Sequence, residues 1–166
     1  MEKMKLTIME AAKSAGAVIQ SYFQGVFTIR SKDGINNLVT EVDNHSEKII
    51  IDIIKRDYPA HSIISEEVGE LMQDSEYQWI IDPIDGTVNF AHGIPICCVS
   101  IGLRHNGKMI MGVVYNPMMN EFFFAERGKG ATLNGLPIRV SDKKDFKTAC
   151  LVTGFPYKWP ETKEHP

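Results

Sequence analysis

The chain carries few of the signals that would settle its class at a glance. Cysteine is scarce: three in 166 residues, at Cys97, Cys98 and Cys150. An odd count with two adjacent is a poor disulfide framework, and no CxxC spacing or nearby histidine suggests zinc. All three read as small buried hydrophobes, with Cys97 and Cys98 pointing to opposite faces of a strand. Charge of one sign is not in excess. A net charge of −3 gives no general reason to expect a nucleic-acid partner. No apolar run is long enough to span a bilayer, so no membrane is expected. The start, MEKMKLTIMEAAKSAG, has no signal-peptide core, because Lys3, Lys5 and Glu10 interrupt it. These absences lead to the expectation of a cytoplasmic protein. The chain also lacks repeats, low-complexity tracts and a GxxxxGK[ST] phosphate loop. The histidines His45, His61, His92, His105 and His165 form no cluster.

What is present is ordinary globular composition, 43% apolar and 23% charged, at a length that fits one domain with a real core. Ile8, Ala11, Ala15, Val18, Ile19 and Tyr22 recur at helical steps and predict a first helix, stopping near Gly25. A second helix is expected after Asp43, with Ser46, Ile49, Ile50, Ile53 and Ile54 near one face and Pro59 closing it. His61–Ser65 and Gln78–Ile81 read as short strands, the first ending at Glu66 and Glu67. From Cys97 the pattern is a β-meander. Asn106-Gly107 signals a hairpin, since both residues accept φ > 0. Further strands are predicted over Glu121–Ala125 and Leu136–Val140. The expected fold is therefore α+β, with two N-terminal helices packed on a mainly antiparallel sheet.

One short stretch resists a purely structural reading. "DPIDGT", Asp82 to Thr87, follows the apolar run Trp79-Ile80-Ile81. Asp82 would emerge at a strand end. Pro83 should stop the strand from continuing in a ladder, and Gly86 lets the chain turn back, bringing Asp85 near Asp82. Two close carboxylates repel unless a cation lies between them. Hard oxygen ligands suit Mg²⁺, often completed by a substrate phosphate. Amides of Gly86 and Thr87, opening the "TVNF" turn, could receive that phosphate. An EF-hand is excluded because Ile84 stands where a ligand should, and the closing Glu is absent. Taken alone, Asp43 reads as a helix N-cap, Glu66 as a strand-end surface acid and Lys32 as a solvated lysine.

The joint pattern changes those readings. "WIIDPIDGTVNFAHGIP" followed by "VSIGL" resembles the inositol monophosphatase family of metal-dependent phosphomonoesterases. Upstream "LVTEVDNHSEKII" and "ISEEVG", and downstream "GVVYNP", "FFFAERGKGATLNG" and "VS", resemble it in the same order. The resemblance implies the N-terminal half of a layered α/β sugar-phosphatase-like fold. It implies Glu66, Asp82, the Ile84 carbonyl and Asp85 as metal ligands, with Asp82 bridging two Mg²⁺ ions. It implies Asp43 and Thr87 as the pair that activates the attacking water, with Glu66 also counted among the catalytic residues. Asp85, Gly86, Thr87 and Lys32 are implied on the substrate side. Implied too are a small phosphorylated polyol or nucleotide as substrate, a homodimer and lithium sensitivity.

The family's second half, with a "WD.AAG"-type motif supplying another metal ligand, has no counterpart here. Residues 1–150 are thus expected to form a metal-binding domain, and 151–166 to open a second half that is otherwise absent. Mg²⁺-dependent hydrolysis of inositol monophosphate is the leading expectation. A 3′-phosphonucleotide, fructose bisphosphate or NADP phosphatase shares the acidic core. A catalytically incompetent fragment, acting as a metal-binding or interaction module, is the alternative from another class. Two geometric expectations follow: Glu66, Asp82 and Asp85 converge on one cleft, and Asp43 lies within hydrogen-bond reach of Thr87.

Overall fold

The computed structural model describes residues 1–31 and 38–153. The first element is a long helix, α1, Glu2–Tyr22, whose buried stripe is Ile8, Ala11, Ala12, Ala15 and Ile19. It ends slightly before the Gly25 stop. A small antiparallel pair follows, β1 (Ile29–Ser31) with β2 (Leu38–Thr40). Helix α2 spans Glu41–Asp57, starting two residues earlier than Asp43. Thr40 is its N-cap. A reciprocal capping box sets the start: the Thr40 hydroxyl accepts from the amides of Val42 and Asp43, and Asp43 Oδ2 accepts from Thr40 N–H at 2.7 Å. Glu41 and Asp43 in the first turn, with Lys55 and Arg56 in the last, complement the helix dipole.

The strands β3 (Ser62–Ser65), β4 (Gly69–Leu71) and β5 (Tyr77–Asp85) come next, then a one-turn helix α3 (Thr87–Ala91). The meander β6 (Cys98–His105), β7 (Lys108–Asn116), β8 (Glu121–Glu126), β9 (Gly130–Leu133) and β10 (Leu136–Ile138) completes an eight-stranded sheet. Its order is β10-β9-β8-β7-β6-β5-β3-β4, antiparallel everywhere except between β3 and β5. Asn106 (φ 47°) and Gly107 (φ 76°) form the β6–β7 turn as the sequence predicts.

Helices α1 and α2 lie together on one face of the sheet, and this is the expected α+β arrangement. The core between the layers gathers Ile8, Ala11, Ala15, Ile50, Ile54, Ile63, Trp79, Val99, Ile101 and Leu103. Helix α1 lies close against β7 at Gly16, where an added Cβ would collide with the Tyr115 ring. Among the described residues, no helix is long and apolar enough to cross a membrane.

Two expectations need correction. Pro83 does not end the ladder. Strand β5 pairs with β6 through Asp82↔Ser100, breaks register, and pairs again at Asp85↔Cys98. The missing proline amide is absorbed in a bulge, where one strand runs locally longer than its partner. The cysteines are not uniformly buried: Cys97 is, Cys98 is half-buried and Cys150 is exposed.

Candidate functional site

The parallel pairing of β3 with β5 places the first acid beside the second. Ser65 lies opposite Ile81, and Glu66 N–H donates to the Ile81 carbonyl at 3.2 Å. Glu66 therefore leaves β3 alongside Asp82 leaving the regular part of β5. Past the Pro83 bulge the chain delivers Asp85. Gly86 then turns in the left-handed region, φ 94° and ψ 36°, and a Cβ there would come within 2.9 Å of the Ile96 carbonyl. Both the conformation and the space demand glycine. Helix α3 begins at once, with Phe90 N–H donating to the Gly86 carbonyl at 3.0 Å. With only one turn, its dipole is small, so the free amides rather than a macrodipole are what α3 offers an anion.

The half-buried Asp82 carboxyl is pushed up to about 7. Burial is the largest cause, followed by the charges of Glu66 and Asp85 and a hydrogen bond shared with Glu66; the Ile84 amide opposes the rise. The first geometric expectation is met only in part: Glu66 and Asp85 both act on Asp82 despite their separation in sequence, but the three carboxylates do not gather into one tight cluster among the described residues. Its Oδ1 is buried and has no hydrogen-bond partner. A buried carboxylate oxygen without a donor is costly, and a hard cation would satisfy it. Among the described residues, no three His, Cys, Asp or Glu gather tightly enough to hold an ion by themselves. An ion drawn to these acids would complete its shell with carbonyl, water or phosphate oxygens. Mg²⁺ accepts such a shell, and the donor set fits it.

The second expectation is met directly. Thr87 Oγ1 lies 3.0 Å from Asp43 Oδ1 and 2.9 Å from the Ile84 carbonyl, so its single proton can go to either. Asp43 is 1% exposed, and its other oxygen accepts from the Thr40 hydroxyl at 2.6 Å and the Thr40 amide. Burial raises its carboxyl above the usual range, while the Thr40 and Thr87 hydrogen bonds pull the other way. Asp43 is thus neither a plain N-cap nor free: one oxygen closes the capping box and the other reaches Thr87. The Ile84 side chain is buried, so the residue contributes to the turn through its backbone, the amide toward Asp82 and the carbonyl toward Thr87. Cys98 borders the site, 3.9 Å from Asp85 Oδ2. Burial pushes its thiol up to about 12, with the charges of Asp85 and Asp82 adding to the effect, so it stays protonated. Lys32 falls outside the described residues.

Two residues escaped the sequence reading. Ser46, assigned only to the apolar face of α2, donates its hydroxyl to the Pro83 carbonyl at 3.0 Å. Glu47 is 1% exposed and accepts from the Ser65 hydroxyl and from the amides of Glu67 and Val68. The available signal was positional: 43, 46 and 47 fall on the same helical face as Ile50 and Ile54, where acids are out of place.

Residues 1–165 match the model of the inositol monophosphatase family. The Nus factor SuhB of Haemophilus influenzae is 45% identical over 163 residues, 97% of this chain and 61% of that protein. The inositol-1-monophosphatase of a Synechocystis species is 47% identical over 157 residues, 94% of this chain and 55% of that one. Among solved structures, the extragenic suppressor protein suhB of Bartonella henselae superposes with a TM-score of 0.82 at 36% identity, covering 85% of this chain and 55% of its own. An IMPase/NADP phosphatase complexed with Mg²⁺ and phosphate gives 0.74 at 27%, covering 82% and 52%. The chain thus spans little more than half the length of the proteins it matches.

Proposed function

The chain belongs to the inositol monophosphatase family, and from that premise we propose that it takes part in Mg²⁺-dependent hydrolysis of a phosphate monoester, with inositol monophosphate as the leading substrate. The observation that carries the reading is the unpartnered, buried Asp82 Oδ1 set between the charges of Glu66 and Asp85. The Mg²⁺ and phosphate bound to the IMPase/NADP phosphatase support the choice of metal.

Glu66, Asp82, the Ile84 carbonyl and Asp85 would hold the ion. When bound, Mg²⁺ supplies Lewis acidity that polarises the phosphate and acidifies the attacking water. The protein's own part is orientation. If the Ile84 carbonyl is engaged, the Thr87 hydroxyl donates its hydrogen bond to Asp43, and the Thr87 oxygen would turn a lone pair outward to accept a hydrogen bond from the water. Asp43, buried and anchored by Thr40, keeps that direction fixed. The Gly86 and Thr87 amides would donate to phosphate oxygens, with Lys32 the remaining candidate on the substrate side. Lithium inhibition and pairing into a homodimer belong to the same proposal.

Phosphate release with Mg²⁺, measured on the wild type and on Asp82→Asn, tests the reading. The substrates are inositol 1-phosphate, a 3′-phosphonucleotide, fructose 1,6-bisphosphate and NADP. Turnover of one of these that disappears in the variant is expected; release that is equal in both overturns it. The Nus factor name carried by relatives at 43–45% identity favours a second reading, an interaction module. Partner binding that survives Asp82→Asn, in a chain without phosphatase activity, would support that reading instead.

A further inference from the structure

Glu47 stands out among the buried groups that the proposed chemistry leaves unused. It is one of the largest fully buried side chains, in a helix face otherwise completed by Ile50 and Ile54. Among the described residues no cation pairs with it; its partners are hydrogen-bond donors from one short segment. Its Oε1 accepts from the Ser65 hydroxyl, from Glu67 N–H at 3.0 Å and from Val68 N–H at 3.1 Å. Those donors bracket Glu66 on both sides. The amide of Glu66 itself is tied to Ile81 of β5. The turn that carries this acid is therefore held from the sheet at its own amide and from α2 at its neighbours.

Resting on the metal-site reading above, we infer that Glu47 is a positioning residue, whose buried carboxylate fixes the Ser65–Val68 turn and so aims Glu66 at Asp82. Two physical arguments support it. A carboxylate that accepts backbone amides forms charge-assisted bonds, stronger than those of a neutral acceptor, and it restrains the backbone itself. One helix also holds both acid-bearing segments, since Ser46, the residue before Glu47, anchors the Pro83 carbonyl between Asp82 and Asp85. The spacing of Glu66 from Asp82 is then set by α2 as well as by strand pairing. Groups that orient metal ligands typically matter to affinity by ~10–100-fold.

The test uses the full chain and its Glu47→Asp and Glu47→Gln variants, with Asp82→Asn as the metal-site control. Two quantities are read: Mg²⁺ affinity by calorimetry, and hydrogen exchange at the Glu67 and Val68 amides. In the wild type both amides should exchange slowly although the Val68 side chain is exposed; fast exchange there overturns the clamp without recourse to any variant. Asp is one methylene shorter and cannot span to both amides. We expect it to lose ~10–100-fold in Mg²⁺ affinity and to expose both amides, while Ile101 in the core stays protected. Gln keeps the accepting oxygen and should stay within about fivefold of the wild type. Exposed amides with unchanged Mg²⁺ affinity would make Glu47 merely structural and overturn the proposal. Wild-type Mg²⁺ binding that is indifferent to Asp82→Asn would show that the metal-site reading itself has failed, and the positioning role falls with it.

Discussion

Replacing Asp82 with asparagine should make the metal-free protein more stable, and the gain can be worked from the structure. In the folded chain the Asp82 carboxyl is pushed up to about 7, against an ordinary 3.8, by burial first and by the charges of Glu66 and Asp85 next. A carboxyl whose folded value is raised contributes most below the unfolded value and loses that contribution as pH rises through the folded one. The window is therefore 3.8 to about 7. Above it, the folded state holds a charge that the unfolded state holds at no cost. Full conversion at ~1.4 kcal/mol per tenfold would give ~4 kcal/mol. Residual contact of the half-buried carboxyl with water reduces this to about 2 kcal/mol. For a chain of this size that is a rise of ~4–8 °C in melting temperature at about pH 8. The assay is a thermal melt of both proteins in a chelator and then in excess Mg²⁺, from about pH 5 to pH 8. In the chelator Asp82→Asn should melt higher, with a gap that closes as pH falls and the wild-type carboxyl takes up its proton. In Mg²⁺ the wild type should gain and the variant should not, because binding to the folded state alone raises stability. If the variant melts at or below the wild type at the alkaline end in chelator, or if the gap widens on acidification, the account of Asp82 is wrong.

Other expectations follow from individual contacts. Thr87→Val keeps the shape but removes the hydroxyl that bonds Asp43; phosphate release should fall by ~10²–10⁴-fold with Mg²⁺ affinity little changed, as steady-state kinetics and calorimetry would show. Gly86→Ala meets both a left-handed backbone and the Ile96 carbonyl, and should cost ~1–3 kcal/mol in denaturant unfolding while weakening Mg²⁺ binding. Gly16→Ala drives a methyl into Tyr115 and should cost a similar ~1–3 kcal/mol with no effect on Mg²⁺ binding. Asp57 is held down at about 2 by hydrogen bonds from Arg56 first and then Thr7. Its contribution is present above 3.8 and lost as pH falls from there through about 2, so Asp57→Asn should flatten the acid side of the stability curve.

The sequence made the layers and much of the site legible, and the reasons differ by element. The meander from Cys98 announces itself through alternation and through Asn106-Gly107, where two residues that accept positive φ sit between apolar runs. The acidic pair in DPIDGT is local, so its closeness can be read from six letters. Glu66 beside Asp82 is not local. It depends on the one parallel pairing in the sheet, β3 with β5, which no hydrophobic pattern distinguishes from an antiparallel one. Pro83 misled for a related reason: a proline forbids a ladder bond at its own amide but not a bulge around it. Glu47 was passed over because a charged residue at a helical position is by default assigned to the solvent face, although its spacing from Ile50 and Ile54 puts it on the buried one. The register of α2 against the sheet shows what it meets there.

Several departures from ordinary folding rules gather in one place. The unpartnered Asp82 oxygen, the buried carboxylates of Asp43 and Glu47, the proline inside a strand and the left-handed Gly86 all lie between the N-terminal half of α2 and the end of β5. Strands β6 and β8 follow the alternation rule over most of their length in the same sheet. Local rules are broken where function requires it and are supported from elsewhere, and α2 shows how one element serves both ends. Its last turns present Ile50, Ile51 and Ile54 to the core, which stabilises the helix against the sheet. Its first turns carry Asp43, Ser46 and Glu47 on that same face, over the point where β3 and β5 end. The apolar half holds the helix in place; the polar half, held by it, reaches Thr87, Pro83 and the Glu66 turn. A slip of α2 by one residue would rotate it by ~100° and withdraw all three contacts together. The packing of three isoleucines thus sets the geometry of the acidic site.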